Sequence, residues 1–226
     1  MGGVPLTATP VCMVLLGLMV VVSLGAFSNP ELKRRLMLNP YLVHHGRQYE
    51  RLFGHPFIHA DWMHLFFNGY VFWSFGRMLE LIFSNEALFA QMLQTDFWGE
   101  NNGAFYFAVL FLGGALFASL PAMARHKDNP GYNALGASGG VSAVLMASIL
   151  LFPTTSLYLM FIPIEIPAFI VGIGFLVYES YMDKRGGTGI AHDAHLWGAL
   201  FGIGFMIALR PAFLMRFFEQ VVGYFS

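Results

Sequence analysis

Ser138 lies in the run Leu135-Gly136-Ala137-Ser138-Gly139-Gly140, where a hydroxyl between glycines opens a long apolar segment. Two other apolar segments open on histidines: His59, His64 and Asn68 lead one, and His192 and His195 lead the other. A serine can attack a carbonyl once a base takes its proton, and hydrogen-bond donors can hold the oxyanion that forms. Polar groups of this kind are costly inside a bilayer and mark functional sites there. Together they are the parts of a hydrolase built within a membrane.

What must position them is a set of membrane helices. The chain has 226 residues, of which 57% are hydrophobic and 11% charged, and its mean hydropathy is +0.61. A soluble domain carries about a quarter charged residues, so the composition indicates a polytopic membrane protein. The formal net charge is -1 and Lys and Arg form no stripe, which excludes nucleic acid as a partner on electrostatic grounds. Cys12 is the single cysteine, so no intrachain disulfide forms. No Lys or Arg precedes the first apolar run, and no cleaved signal peptide is expected.

The pattern predicts one domain over 1–226: an all-α bundle with spans at 10–27, 62–82, 103–124, 133–152, 167–182 and 191–209. A long charged loop follows the first span, and a polar stretch separates the second and third. Pro163, Glu165 and Pro167 predict an extended approach before the fifth span opens near Pro167. Gly186, Gly187 and Gly189 form a flexible connector, and Arg210-Pro211 stops the sixth span. The tail, 212–226, is expected to be an interfacial helix with Phe213, Phe217 and Phe218 facing lipid. Spans alternate in direction, so the second, fourth and sixth begin on one side. Topology therefore gathers the unusual polar residues into one layer.

Each residue also has a plainer reading. Gly136 and Gly140, and Gly198 and Gly202, are small-residue pairs that let membrane helices pack closely. That close approach is also what would bring Ser138 Oγ to a base on the facing helix, and His195 stands one helical step before Gly198. His192 shares its face. Asp193, two residues from His195, projects elsewhere, so a dyad without a buried carboxylate is expected. His64 and Asn68 are stacked four apart and can both donate towards an oxyanion. His59 and His55 precede that helix and suit a structural role, as do Arg51 and Glu80 as anchors. A metal site is the rival chemistry, but no cysteine pair or carboxylate at a familiar helical offset completes a ligand set, so no metal is expected.

At these residues the chain resembles the rhomboid family of intramembrane serine proteases. Three separated motifs carry the likeness in order: His59-x4-His64-x3-Asn68, Gly136-x-Ser138-Gly139 and Ala194-His195-x2-Gly198-x3-Gly202. The resemblance implies a six-helix core and cleavage of transmembrane protein substrates without a cofactor. By motif position it makes Ser138 the nucleophile and His195 the general base. His64, Asn68 and the Ser138 N–H line the oxyanion hole beside Gly136, with His59, Gly139, His192 and Gly198 in support. Two positions depart from the family: Glu50-Arg51 replaces Trp-Arg, and Ser142 stands where many members stack an aromatic ring on the catalytic imidazole. The resemblance also implies a multi-pass protein of the bacterial plasma (inner) membrane with its active site facing out. The distribution of Lys and Arg, read alone, would put that site in the cytoplasm. A non-catalytic binder of transmembrane segments is the alternative function. A solute transporter lacks support, because no inverted repeat is present. Nothing in the pattern points to an oligomeric state.

Overall fold

In the computed structural model, residues 5–85, 102–159, 162–187 and 189–226 are described. Most of the polar stretch between the second and third expected spans lies outside them. The chain is a helical bundle. Its long helices are α1 (Pro10–Ser28), α5 (Trp62–Ser84), α6 (Gly103–Arg125), α7 (Ser138–Leu151), α8 (Ala168–Arg185) and α9 (His192–Leu209), followed by α10 (Ala212–Tyr224). Three short helices, α2 (Pro30–Leu36), α3 (Pro40–Gly46) and α4 (Glu50–Gly54), fill the first loop. By length and composition alone, α1 and α6 qualify as membrane-crossing helices, and α9 continues into α10 through a bend of 109°.

Helix starts follow local chemistry. Pro10, Pro30 and Pro40 each occupy a first turn, where the missing N–H costs nothing. Asn29 Oδ1 accepts from the N–H groups of Glu31 and Leu32, and Asn39 Oδ1 from that of Leu42. At α1 a distant side chain performs this task. Glu80, fully buried on α5, accepts the Val11 N–H at 2.9 Å and the Cys12 N–H at 2.7 Å. The buried carboxyl group is thus satisfied by the amide end of another helix, which fits the anchor expected of it.

The helix α7 is the centre of the bundle. It is buried on nearly all sides, against a core that includes Phe72, Phe107 and Phe111. A helix enclosed in this way needs no polar face. Its expected start near Asn133 is corrected to Ser138. Residues before it are held extended by backbone hydrogen bonds between Leu38 and Ala134 (2.9 and 3.0 Å), and Gly136 adopts φ +118°, which no helix tolerates. The first loop therefore braces the segment leading to Ser138, with Asn39 Nδ2 adding bonds to Pro130 O and Asn133 Oδ1. Arg51, buried, fixes the loop in turn by donating to Arg34 O, Met37 O and Gln48 Oε1 at 2.7–2.8 Å.

The extended approach to the fifth span is a hairpin, β1 (Ser156–Leu159) with β2 (Ile162–Pro167), paired antiparallel. One expectation for the tail fails. Phe213 is 2% exposed within the core, because the bend folds α10 back across the end of α7, where Gln220 Nε2 donates to Leu151 O. Phe218 does face outward.

Candidate active site

The N-terminal ends of α5, α7 and α9 meet. Asp61 caps α5 by accepting the His64 N–H at 2.9 Å, which starts the helix with the His64 ring turned towards Gly136. A Cβ built on Gly136 would lie 2.7 Å from His64 Cε1 and 2.9 Å from Nε2, so only glycine leaves room for the ring. The Ala60 N–H points at His64 Nδ1 at 3.4 Å, which makes Nδ1 the acceptor and puts the ring proton on Nε2, the nitrogen facing the serine loop. Asn68, buried one turn further along, donates one amide hydrogen to His64 O at 3.0 Å and keeps a second.

Ser138 is the first residue of α7, and Ala137 before it makes no side-chain cap. The N–H groups of Ser138, Gly139 and Gly140 therefore have no intrahelical acceptor and stand at the positive end of the helix. The Gly136 N–H donates to His55 O at 3.0 Å, and the residue's contribution is the tight turn and the space it leaves for His64. A small, partly open pocket of about 30 Å³ reaches Ser138 between Leu38, His55, Ala118, Tyr132 and Ala194.

His195 arrives on α9 through backbone contact. A Cβ on Gly198 would meet Gly139 O at 2.1 Å, and one on Gly202 would meet Ala143 O at 2.2 Å, so α7 and α9 touch main chain to main chain. Ala194 O lies 3.6 Å from the corresponding point on Gly139. The turn bearing His195 thus sits against the turn bearing Ser138. Among the described residues no hydrogen bond joins the two side chains.

The expectation of a dyad without a buried carboxylate is overturned. Glu179 of α8 is 4% exposed, and its Oε1 lies 3.0 Å from His195 Nδ1, an ion-pair distance with the N–H out of line. Its Oε2 takes a 2.6 Å hydrogen bond from His192 Nδ1. Phe175, one turn before Glu179, lays its ring nearly parallel to that of His195, with centroids 6.4 Å apart and planes at 25°. That position is where an aromatic partner for the imidazole is found, in place of Ser142, which is buried within α7. Asp193 does project elsewhere: it accepts the Ala194 N–H and pairs with Arg125 at 3.3 Å. A carboxylate inside an apolar helix was the available sequence signal for Glu179.

Glu179, His192 and His195 offer ligand atoms within 4.8 Å of one another, among the described residues a set that a divalent cation could use. The 2.6 Å contact, however, is a charge-assisted hydrogen bond. Two ligands of one tetrahedral zinc stand about 3.3 Å apart, given bonds of about 2.0–2.1 Å. The His192–Glu179 separation is shorter than that and is a hydrogen-bond distance.

His59 and His55 are struts. His59, fully buried, lies edge-on to the His64 ring with centroids 5.0 Å apart, and its Nδ1 is 2.9 Å from Ser23 Oγ. His55 Nδ1 donates to Arg51 O at 3.0 Å. Burial pushes the His55 imidazolium from 6.5 down to about 4. Burial, then the neighbouring His64, pushes His59 to about 3 against the opposing charge of Asp61. Both are neutral in the fold, whereas the unfolded chain takes up their protons near pH 6.5. Each therefore contributes stability that is complete above that pH and lost as pH falls, about 3 kcal/mol apiece by pH 4. Thermal unfolding in detergent should show a Tm that declines steadily from pH 6.5 to 4, with a shallower decline in His55→Gln. A pH-independent Tm across that window would contradict it.

A family model described as Rhomboid domain matches residues 46–212. Among curated proteins, the chain is 32% identical over 114 residues to RHOMBOID-like protein 12, mitochondrial, of Arabidopsis thaliana, covering 44% of this chain. The match spans 34% of that relative's length.

Proposed function

Because the chain belongs to the rhomboid family, we propose that it is an intramembrane serine endopeptidase that cleaves transmembrane protein substrates at Ser138. The observation that carries the reading is the seating of Gly198 on Gly139 O, which places the His195 turn against the unpaired amides at the start of α7. The bundle is read as six spans, α1 and α5 to α9. At 14 residues α7 is about 21 Å long, less than the ~30 Å of hydrocarbon, so at least one of its ends lies below the headgroups.

In the proposed reaction the end of a substrate helix unwinds at the pocket. Ser138 Oγ attacks the carbonyl carbon while its proton passes to His195 Nε2. The oxyanion is held by the Ser138 N–H, His64 Nε2–H and the second Asn68 amide hydrogen. Collapse breaks the C–N bond, and the leaving amine takes the proton from His195. Water then attacks the acyl-enzyme, giving a proton to the same nitrogen, which returns it to Ser138. No cofactor takes part.

The relative is named as a mitochondrial protein, so the bacterial plasma membrane expected from the sequence draws no support from it, and the localisation is that of an integral membrane protein. The missing Ser138–His195 hydrogen bond favours one second reading, a non-catalytic binder of transmembrane segments. A fluorophosphonate probe on detergent-solubilised protein separates them. Labelling of wild type that disappears in Ser138→Ala supports the protease, and an unlabelled, well-folded wild type favours the binder.

A further inference from the structure

A histidine that accepts a proton on Nε2 must carry its other proton on Nδ1, and something must keep it there. The residues around His195 supply one candidate. His64 from α5 has its own Nδ1 occupied by the Ala60 N–H. Asp193 on α9 is committed to Arg125 and the Ala194 N–H. Glu179 from α8 remains, buried, with Oε1 3.0 Å from His195 Nδ1.

We infer that Glu179 is a positioning residue of the catalytic site, making the dyad a serine–histidine–glutamate relay, with His192 as the tether that fixes the carboxylate. The inference rests on the protease reading above. A carboxylate only accepts, so it selects the Nδ1–H form of His195 and leaves Nε2 as the lone pair facing outward. When Nε2 takes the Ser138 proton, the resulting imidazolium already has its counter-charge beside it, and Glu179 itself stays ionised. The 2.6 Å bond from His192 Nδ1 occupies Oε2, so the carboxylate cannot rotate away from His195. Phe175 and Glu179, four apart on α8, then hold the ring by its face and by its edge. His192 acquires a role that packing alone does not give it: it is 4% exposed and aimed at the carboxylate. His195 Nδ1 makes no hydrogen bond in this structure, and the inference requires the ring to rotate onto Oε1, an adjustment of the kind that substrate binding commonly induces.

The test compares Glu179→Gln and Glu179→Asp with wild type on a transmembrane peptide substrate in detergent. Glutamine can offer its NH2 to Nδ1 and favour the wrong tautomer. Glu179→Gln should therefore lower kcat by about 10²–10⁴-fold with KM nearly unchanged, while Glu179→Asp recovers to within about tenfold of wild type. A Glu179→Gln variant with kcat within threefold of wild type overturns the inference. So does a loss that Asp fails to restore and that tracks a fallen Tm, since a purely structural carboxylate would behave that way.

A second measurement needs no activity. Nitrogen-15 spectra of histidine-labelled wild type should show His195 protonated on Nδ1, and Glu179→Gln should shift it towards Nε2–H. Wild type already protonated on Nε2 overturns the inference. Displacement of the Nδ1–H signals by micromolar zinc, reversed by chelator, overturns it in favour of a metal site. If Ser138 takes no probe, the protease reading fails alone, and the spectra still decide whether Glu179 fixes the ring.

Discussion

His195→Ala should lower hydrolysis of a transmembrane substrate by about 10⁴-fold or more, and adding Ser138→Ala should lower it no further. The expectation follows from what each group does without the other. Ser138 Oγ without a base remains a neutral hydroxyl, and His195 without a nucleophile has no proton to accept. Either loss therefore stops the same step. The residual rate belongs to the donors at the helix mouths: the free Ser138 N–H, His64 Nε2–H and the Asn68 amide, none of which either substitution removes. The measurement is the initial rate of cleavage for the two single variants and the double variant. Losses that multiply would mean that the residues act in separate steps, and the shared-site reading would fall.

The convergence behind this prediction was readable in the sequence because it depends on order along the chain. Alternating spans bring the starts of α5, α7 and α9 to one side whatever their side chains, and Asp61, Ser138 and His192 each stand at or beside such a start. Glycine spacing was equally legible, since Gly198 and Gly202 can only matter where another backbone approaches. The start of α7 was not legible. Asn133 to Ala137 have a composition that could continue a helix, and the bonds from Leu38 and His55 that hold the segment open come from residues distant in sequence. Glu179 and Phe175 escaped for the same reason. Their periodicity places them on an ordinary apolar helix, and only the packing of α8 against α9 turns that face onto His195. Phe213 looked lipid-facing because a bend of 109° between α9 and α10 leaves no trace in hydropathy.

The second large effect is expected at a residue that takes part in no chemistry. Gly198→Ala places a methyl 2.1 Å from Gly139 O and 2.9 Å from Gly139 Cα. No side-chain rotation relieves a clash between two backbones, so α7 and α9 must separate by about 1 Å or more. Overpacking of this kind costs about 1–3 kcal/mol, partly offset by about 1 kcal/mol gained from alanine's better helix propensity. Stability should therefore fall modestly, while kcat falls about 10²-fold, because a displacement of about 1 Å between reacting groups is that costly. Gly204→Ala, on the same helix with nothing within 4 Å, supplies the control and should keep full activity with an unchanged or slightly higher Tm. Equal activity in the two variants would show that the spacing of α7 and α9 does not set the distance between serine and base. Gly198 has an ordinary helical backbone, absent from the positive-φ glycines Gly136, Gly186, Gly187 and Gly189. Its requirement is one of distance rather than of conformation, which is why the cost should appear in turnover before it appears in folding.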